Sequence, residues 1–282
     1  MNYRRRMSGR PTARRHGEPV CAIQNKLIER RDELALTVAL TAHRRLFGLC
    51  YFGLQPDYFD AMPLGSGVLV RPIVPTGLLA PGVANPGDVD LLVIPYEQDE
   101  LVLDRVLAME IKAIRATFVR QGRSPNDYGF SQANALTDLG FPFVALTHLI
   151  VSDTSPADAW RDVSAVRVLD ETGRTTAPFE TRIDMMPADL VQRAFGRLER
   201  NCRAPALGLA AAYIGADSFE PIDGHLRLWT PETRPAEANL RIDTALLDRV
   251  AALYEAAPES FMVIPRYDPD RKNVTGSRHD VP

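Results

Sequence analysis

Two stretches hold the residues whose types and spacing could do chemistry: PGDVDLLVIP, which contains Asp88 and Asp90, and VLAMEIKAIR, which contains Glu110 and Lys112. Along a strand, side chains alternate between faces, so Glu110 and Lys112 share one face while Ile111 turns into the core. A carboxylate and an ammonium then emerge together from an apolar run, and burying such charges is costly unless they are paired or bind a metal. Asp90 opens the run Leu91, Leu92, Val93, Ile94 in the same way. If the two strands pair as a hairpin, Asp90 can face Glu110 and Lys112. Two converging carboxylates suit a hard, oxygen-loving cation, with water and substrate phosphate completing its shell. The lysine would stabilise negative charge in the transition state, or position and deprotonate the attacking water. Asp88, two residues earlier on the same face, competes with Asp90.

These residues need a scaffold, and the flanking sequence supplies one. Leu27, Ile28, Leu34, Leu36, Val38, Leu40 and Leu46 recur at three and four spacing, predicting a helix over 22–48 that Gly48 stops. PDYFDAMPLGSG reads as turn, GVLVRPIV as a strand and PTGLLAPGVANPG as loop. VDLLVIP and LVLDRVLAMEIKAI follow as strands across a short acidic connector, Tyr96 to Glu100. After the loop GRSPNDYG comes a helix in SQANALTDLG, ended by Gly140. FPFVALTHLIVSD then reads as a strand apolar on both faces. This order gives an α/β core with a mixed central sheet flanked by helices.

Beyond about Thr154, MPADLVQRAFGRLERN carries Leu190, Val191, Ala194, Phe195 and Leu198 at helical spacing. That stripe needs a partner, most simply the sheet that contains His148 and Ile150. LGLAAAYIG and HLRLWT read as strands, DTALLDRVAALYEA as a helix capped by Asp243 or Thr244, and RYDPDRKNVTGSRHDVP as a tail. The division expected is a flexible basic arm over 1–20, a core over 21–153, and a C-terminal α/β extension over 154–282 packed on the same sheet.

The core resembles the PD-(D/E)XK nuclease superfamily. Asp90, then Glu110-Ile111-Lys112, then the helix of SQANALTDLG and the strand FPFVALTHLIV reproduce its order. The resemblance implies a restriction-endonuclease-like fold and a Mg2+- or Mn2+-dependent endonuclease or exonuclease that hydrolyses phosphodiester bonds, in DNA more than RNA. It places the metal on Asp90, Glu110 and the main chain of Ile111, with Lys112 as the catalytic base partner or charge stabiliser. Many members add a glutamate from the first helix, for which Glu33 is preferred over Glu29. Gln132 falls where members often place a glutamine, and Leu136 stands where they place an aromatic. Prokaryotic phage defence, with a partner protein, is a setting the family implies. The alternative is a catalytically silent nuclease-fold subunit that binds nucleic acid or partner proteins; an intact acid, acid and lysine set argues against it.

Composition constrains the reading further. The 282 residues are 45% hydrophobic and 24% charged with net charge -3, so any nucleic acid must meet a local basic patch rather than a global field. Arg4, Arg5, Arg6, Arg10, Arg14 and Arg15 crowd a start with little to bury, which suggests a mobile, phosphate-contacting arm. Cys21, Cys50 and Cys202 match no zinc spacing and suggest a reducing compartment. No secretory leader or membrane-length apolar run is evident, so a cytoplasmic protein without membrane contact is expected, and a homo-oligomer is compatible with it. His148 reads as a core or sheet-edge histidine, and Gly65-Ser66-Gly67 as a turn. Arg115, Asp99, Glu100 and Asp104 read as solvated charges. No dinucleotide or phosphate-loop glycine pattern supports an unrelated metabolic enzyme.

Overall fold

The computed structural model describes residues 3–9, 32–83, 87–125, 128–167, 169–170, 172–215 and 230–266. A short strand, β1 (Arg4–Arg6), comes first. Asp32 caps α1 (Glu33–Ala42), its carboxylate accepting from the Leu34 N–H at 3.1 Å and so satisfying a donor that every helix start leaves open. His43 breaks the chain out of helical geometry, and its Nδ1 accepts from the Leu46 N–H at 3.1 Å to start α2 (Arg44–Leu54). The single helix expected to stop at Gly48 is therefore two helices, with Gly48 inside the second. Burial of Leu46, Phe47, Cys50, Tyr51 and Leu54 outweighs the roughly 1 kcal/mol that an internal glycine costs a helix. Residues 22–31 of the expected helix, Glu29 among them, lie outside the described residues.

Two segments with turn composition are helical. Pro56, pre-set for a first helical position, opens α3 (Pro56–Ala61). After β2 (Gly67–Pro75) a single turn forms α4 (Thr76–Leu79). The central strands follow: β3 (Asp88–Glu97), β4 (Glu100–Val102) and, after a tight turn at Leu103–Arg105, β5 (Leu107–Arg115). Then come α5 (Phe130–Asp138), β6 (Phe143–Val151), the two-stranded ribbon β7 (Arg161–Ala165) and β8 (Phe179–Ile183), and α6 (Met186–Asn201). The chain continues through β9 (Gly208–Tyr213), β10 (Glu232–Arg234), α7 (Thr244–Ala256) and β11 (Met262–Pro265). Asp243 is the α7 cap, accepting from the Ala245 N–H at 2.8 Å. Of HLRLWT all but Thr230 lies outside the described residues, as does the tail beyond Arg266.

Among the described residues nine strands form one mixed sheet, ordered β11-β2-β3-β5-β6-β9-β10, with β4 and then β1 extending beside the far end of β3. β2, β3 and β5 are antiparallel, while β5, β6 and β9 are parallel. The run expected as one strand, LVLDRVLAMEIKAI, folds as β4, a turn and β5, all on the same side of β3. Register jumps across that turn, from Tyr96↔Leu101 to Val93↔Leu107, so the turn takes up the extra residues as a bulge does. Asp104 on this turn is half-buried with one buried carboxylate oxygen, rather than part of a solvated connector.

Helices cover both faces. Leu36 and Leu40 of α1, with Leu46, Phe47 and Leu54 of α2, pack on the face lined by Leu91, Met109 and Ile111. Ala133 and Leu136 of α5 and Leu246, Val250 and Tyr254 of α7 pack on the face lined by Leu92, Ala108 and Leu146. The apolar stripe of α6 meets Ile114, Ile150, Ala211 and Tyr213 on that second face. Every residue of β6 is buried, as a strand covered from both sides requires. No helix among the described residues is long and apolar enough to cross a membrane.

The Arg-rich start differs from expectation. Arg4–Arg6 is not a free arm but an antiparallel edge strand on β4, with Arg4 opposite Val102 and Arg6 opposite Glu100. An open edge of N–H and C=O groups offers it a ladder, and the acidic turn beside it offers charge: Arg4 lies 2.7 Å from Glu97 and 3.8 Å from Glu100. Arg10, Arg14 and Arg15 lie outside the described residues.

Candidate active site

The β3–β5 ladder decides which side chains meet. Its last printed pair is Leu91↔Met109, and one further step puts Asp90 opposite Glu110 on the Leu92/Ala108 face. There the ladder stops, and the Asp90 carboxylate accepts a hydrogen bond from the Ile111 N–H at 2.7 Å. Ile73, next to Asp90 on the β2 side, has φ 53, a left-handed conformation that a β-branched residue rarely adopts. Asp90 is half-buried, whereas Asp88 is exposed at the start of β3. Of the two competing aspartates, Asp90 is the one set against Glu110.

Glu110 is 1% exposed, among the few buried charges of the described residues. Its carboxylate lies 2.7 Å from Lys112 Nζ, one step along the same face. Glu33 joins from the opposite layer. At the first turn of α1, its Oε1 is 3.7 Å from Lys112 Nζ and its Oε2 accepts from the Ala113 N–H at 2.9 Å. Asp90, Glu110, Lys112 and Glu33 thus converge where β3 begins and β5 ends.

Burial is the main cause pushing both carboxyls above the ordinary carboxylate range, Glu110 further than Asp90; charge repulsion adds to it, from Asp90 and Glu33 on Glu110 and from Glu33 on Asp90, while a hydrogen bond from Glu110 pulls Asp90 the other way. Burial works against the Lys112 ammonium too, but Glu110, Glu33 and Asp90 more than offset it and hold its pKa above the usual lysine value. Lys112 is therefore a cation here, which favours charge stabilisation over its use as a base. Among the described residues no three His, Cys, Asp or Glu side chains stand together as a ready metal-ligand set. The available donors are two carboxylates, neighbouring main-chain oxygen such as that of Ile111, water and substrate. That all-oxygen set fits Mg2+ or Mn2+, which keep several waters and use one or two carboxylates. A divalent cation would also offset the repulsion that raises both carboxyl pKa values.

Gln132 is brought less close. It is half-buried in α5, and its Oε1 is buried without a hydrogen-bond partner. No hydrogen bond links its side chain to the acid–lysine group. Arg115 is exposed at the end of β5.

Sequence reasoning missed what lies over the group. Gly129, with φ 85, precedes α5. A Cβ there would meet Leu146 Cδ1 at 2.8 Å, Lys112 Cγ at 3.1 Å and Glu110 Cγ at 3.2 Å. Only glycine lets the backbone lie this close in that conformation. The sequence signal was a glycine where helix starts prefer Ser, Thr, Asp or Asn. Next to it, the Tyr128 ring sits 5.8 Å from the ring of His148, and the Tyr128 carbonyl is 3.1 Å from His148 Nε2. His148 pairs in register with Lys112 on the adjacent parallel strand. Burial pushes it down to about 4, helped by the nearby Arg197 and Lys112 charges, so it is a neutral core residue.

Comparison of the chain with protein-family models, with curated proteins and with solved structures yields no match. The reading of the site rests on its own geometry.

Proposed function

We propose that this chain is a metal-dependent nuclease with a restriction-endonuclease-like core, hydrolysing phosphodiester bonds in nucleic acid, DNA before RNA. One observation carries the reading: a half-buried and a fully buried carboxylate from antiparallel neighbours, Asp90 and Glu110, meet at a strand end with the Lys112 ammonium 2.7 Å from Glu110. The order antiparallel hairpin, α5, parallel β6 agrees with that core.

Asp90 and Glu110 would hold Mg2+ or Mn2+, with the Ile111 carbonyl as a further oxygen. Bound there, the ion supplies Lewis acidity toward a phosphoryl oxygen and lowers the pKa of water. The chain's own residues do the rest. The Ile111 N–H fixes the Asp90 carboxylate. Lys112 places a positive charge where negative charge grows on the phosphate. Glu33 orients Lys112 from α1, and the Gly129 backbone closes one side of the group against bulk water.

The test is incubation of the purified protein with supercoiled plasmid, linear duplex, single strand and RNA, with and without Mg2+. Cleavage of DNA that needs Mg2+ and stops with EDTA is expected, and calcium should bind without supporting turnover because its looser geometry positions water poorly. No cleavage of any of the four, or cleavage unaffected by EDTA, rejects the reading.

A further inference from the structure

Among the described residues several arginines pair with a carboxylate: Arg4 with Glu97, Arg5 with Glu255, Arg161 with Asp189, Arg174 with Asp170, Arg182 with Asp162 and Arg249 with Asp243. One group differs. Arg193, Arg197 and Arg200 fall at i, i+4 and i+7 of α6, hence along one edge of that helix. Among the described residues none of the three pairs with a carboxylate. Asp189, one turn before Arg193, is occupied by Arg161 at 2.7 Å, and Glu199 points to the far side of the helix by the 100° step per residue.

What does hold them is neutral. Arg193 donates to Gln121 Oε1 at 2.7 Å and Arg197 to the Arg123 carbonyl at 2.9 Å, both in the loop that follows β5. That loop adds the exposed Arg120 and Arg123. Burial and the like charges of Arg193 and Arg200 depress the Arg197 pKa, and its Nε is buried without an acceptor. Like charges kept together with no carboxylate partner among the described residues make a positive patch that attracts an anion. The edge also leads somewhere. Arg197 is close enough to act on His148 and Tyr128 electrostatically, and those two rings adjoin Lys112 and Gly129. From Arg193 to Arg200 the helix rises roughly 10 Å, about three base-pair steps of a duplex axis.

We propose that Arg193, Arg197 and Arg200 form a phosphate-binding track that lays the sugar–phosphate backbone of a DNA duplex along α6 and the loop after β5, toward Asp90, Glu110 and Lys112. This rests on the nuclease reading and assigns the surface that carries its substrate. Such contacts are sequence-independent and salt-dependent, because each neutralised phosphate releases counterions.

The test compares the wild-type chain, R193Q/R197Q/R200Q and R193K/R197K/R200K for binding to short labelled DNA duplexes of two unrelated sequences, in EDTA, across a salt series. The glutamine variant should bind both duplexes about 10- to 100-fold more weakly, with the slope of log affinity against log salt reduced by about 2 to 3. The lysine variant keeps the charge but loses the forked hydrogen bonds, and should retain most of the slope. Circular dichroism of all three confirms folding; loss of binding by both variants with lost helicity would assign the arginines a structural role and overturn the track. So would an unchanged slope in the glutamine variant, or wild-type protein that does not bind DNA. Because binding is read without metal, a track that behaves as stated in a protein that cleaves nothing would reject the nuclease reading alone.

Discussion

Arg4 and Arg5 stand on an edge strand within reach of Glu97, Glu100, Asp248 and Glu255, whereas Arg193, Arg197 and Arg200 stand on a helix edge and none of them pairs with a carboxylate among the described residues. From sequence the first group invites a nucleic-acid role, since six arginines crowd the first fifteen positions. The second hides inside an amphipathic helix, with Asp189 and Glu199 interleaved. The fold reverses the order of interest. An edge strand beside an acidic turn neutralises one group, while on α6 Asp189 is taken by Arg161 and Glu199 lies away from the arginine edge, leaving the other group without a carboxylate partner among the described residues. Charge that can attract a polyanion is charge left over after folding, and a linear count cannot show it.

That comparison matters only if the acid–lysine group is the reaction centre, which sets the largest expected effect. Asp90→Ala, Glu110→Ala and Lys112→Ala should each lower cleavage by at least about 10²–10³-fold, with the duplex affinity measured in EDTA nearly unchanged. Initial rates under saturating Mg2+ are the measurement. Full activity in any one variant removes that residue from the site, and a collapse in metal-free affinity would mean the arginine track does not act alone.

The next effect concerns Gly129, which shapes the ground between the track and the site. Gly129→Ala puts a methyl group against Leu146, Lys112 and Glu110 and forces an L side chain into φ 85. A stability loss of about 1–3 kcal/mol with a larger fall in kcat than in duplex affinity is expected, by denaturant melts and steady-state kinetics. Equal falls in both would show that the loop supports the track rather than the catalytic side chains.

Metal-free stability should report the site alone. Glu110 and Asp90 have folded pKa values raised above their unfolded ones. Their contribution is therefore fully present below the ordinary carboxylate range, near 4, and is lost as pH rises through the raised values. His148, pushed down to about 4, works the other way, losing stability as pH falls below the unfolded histidine value near 6.5. Above that pH it is neutral in both states and silent. The melting temperature without metal should thus fall as pH rises from neutral to mildly alkaline, Mg2+ should reverse the fall, and Glu110→Gln should flatten it. A rise with pH in the metal-free protein would contradict the assigned causes.

Much of this was legible in the sequence where one physical rule acted alone. Period-two alternation put Glu110 and Lys112 together, and the doubly apolar FPFVALTHLIV announced β6, the fully buried centre of the sheet. Asp90 over Asp88, and Glu33 beside Lys112, needed register and the direction of α1, which no local pattern encodes. The helix break at His43 was missed because a histidine cap has no strong signature, and Gly48 was misread because burial overrode propensity. Gly129 looked like loop composition. Its meaning lies in the 3.1 Å and 3.2 Å approaches to Lys112 and Glu110, which exist only once α5 is packed on the sheet.

The smallest expected effect tests the quiet half of the comparison. Arg4 Nη1 sits 2.7 Å from Glu97, and their side chains are 32% and 15% exposed; Arg5 makes longer contacts, 3.4 Å and 3.5 Å, with more exposed partners. Partly exposed pairs of this kind contribute about 0–1 kcal/mol each, and the β1–β4 backbone ladder stays intact when side chains change. Arg4→Gln with Arg5→Gln should therefore lower the melting temperature by only about 1–4 °C. It should leave the salt slope of duplex binding within error of wild type, since a guanidinium already held by a carboxylate has no counterion-releasing contact to lose. A slope reduced by about one unit or more would mean that Arg4 and Arg5 exchange their carboxylates for phosphate when DNA arrives. The edge strand would then be a second arm of the interface, and the contrast with α6 would describe the free protein only.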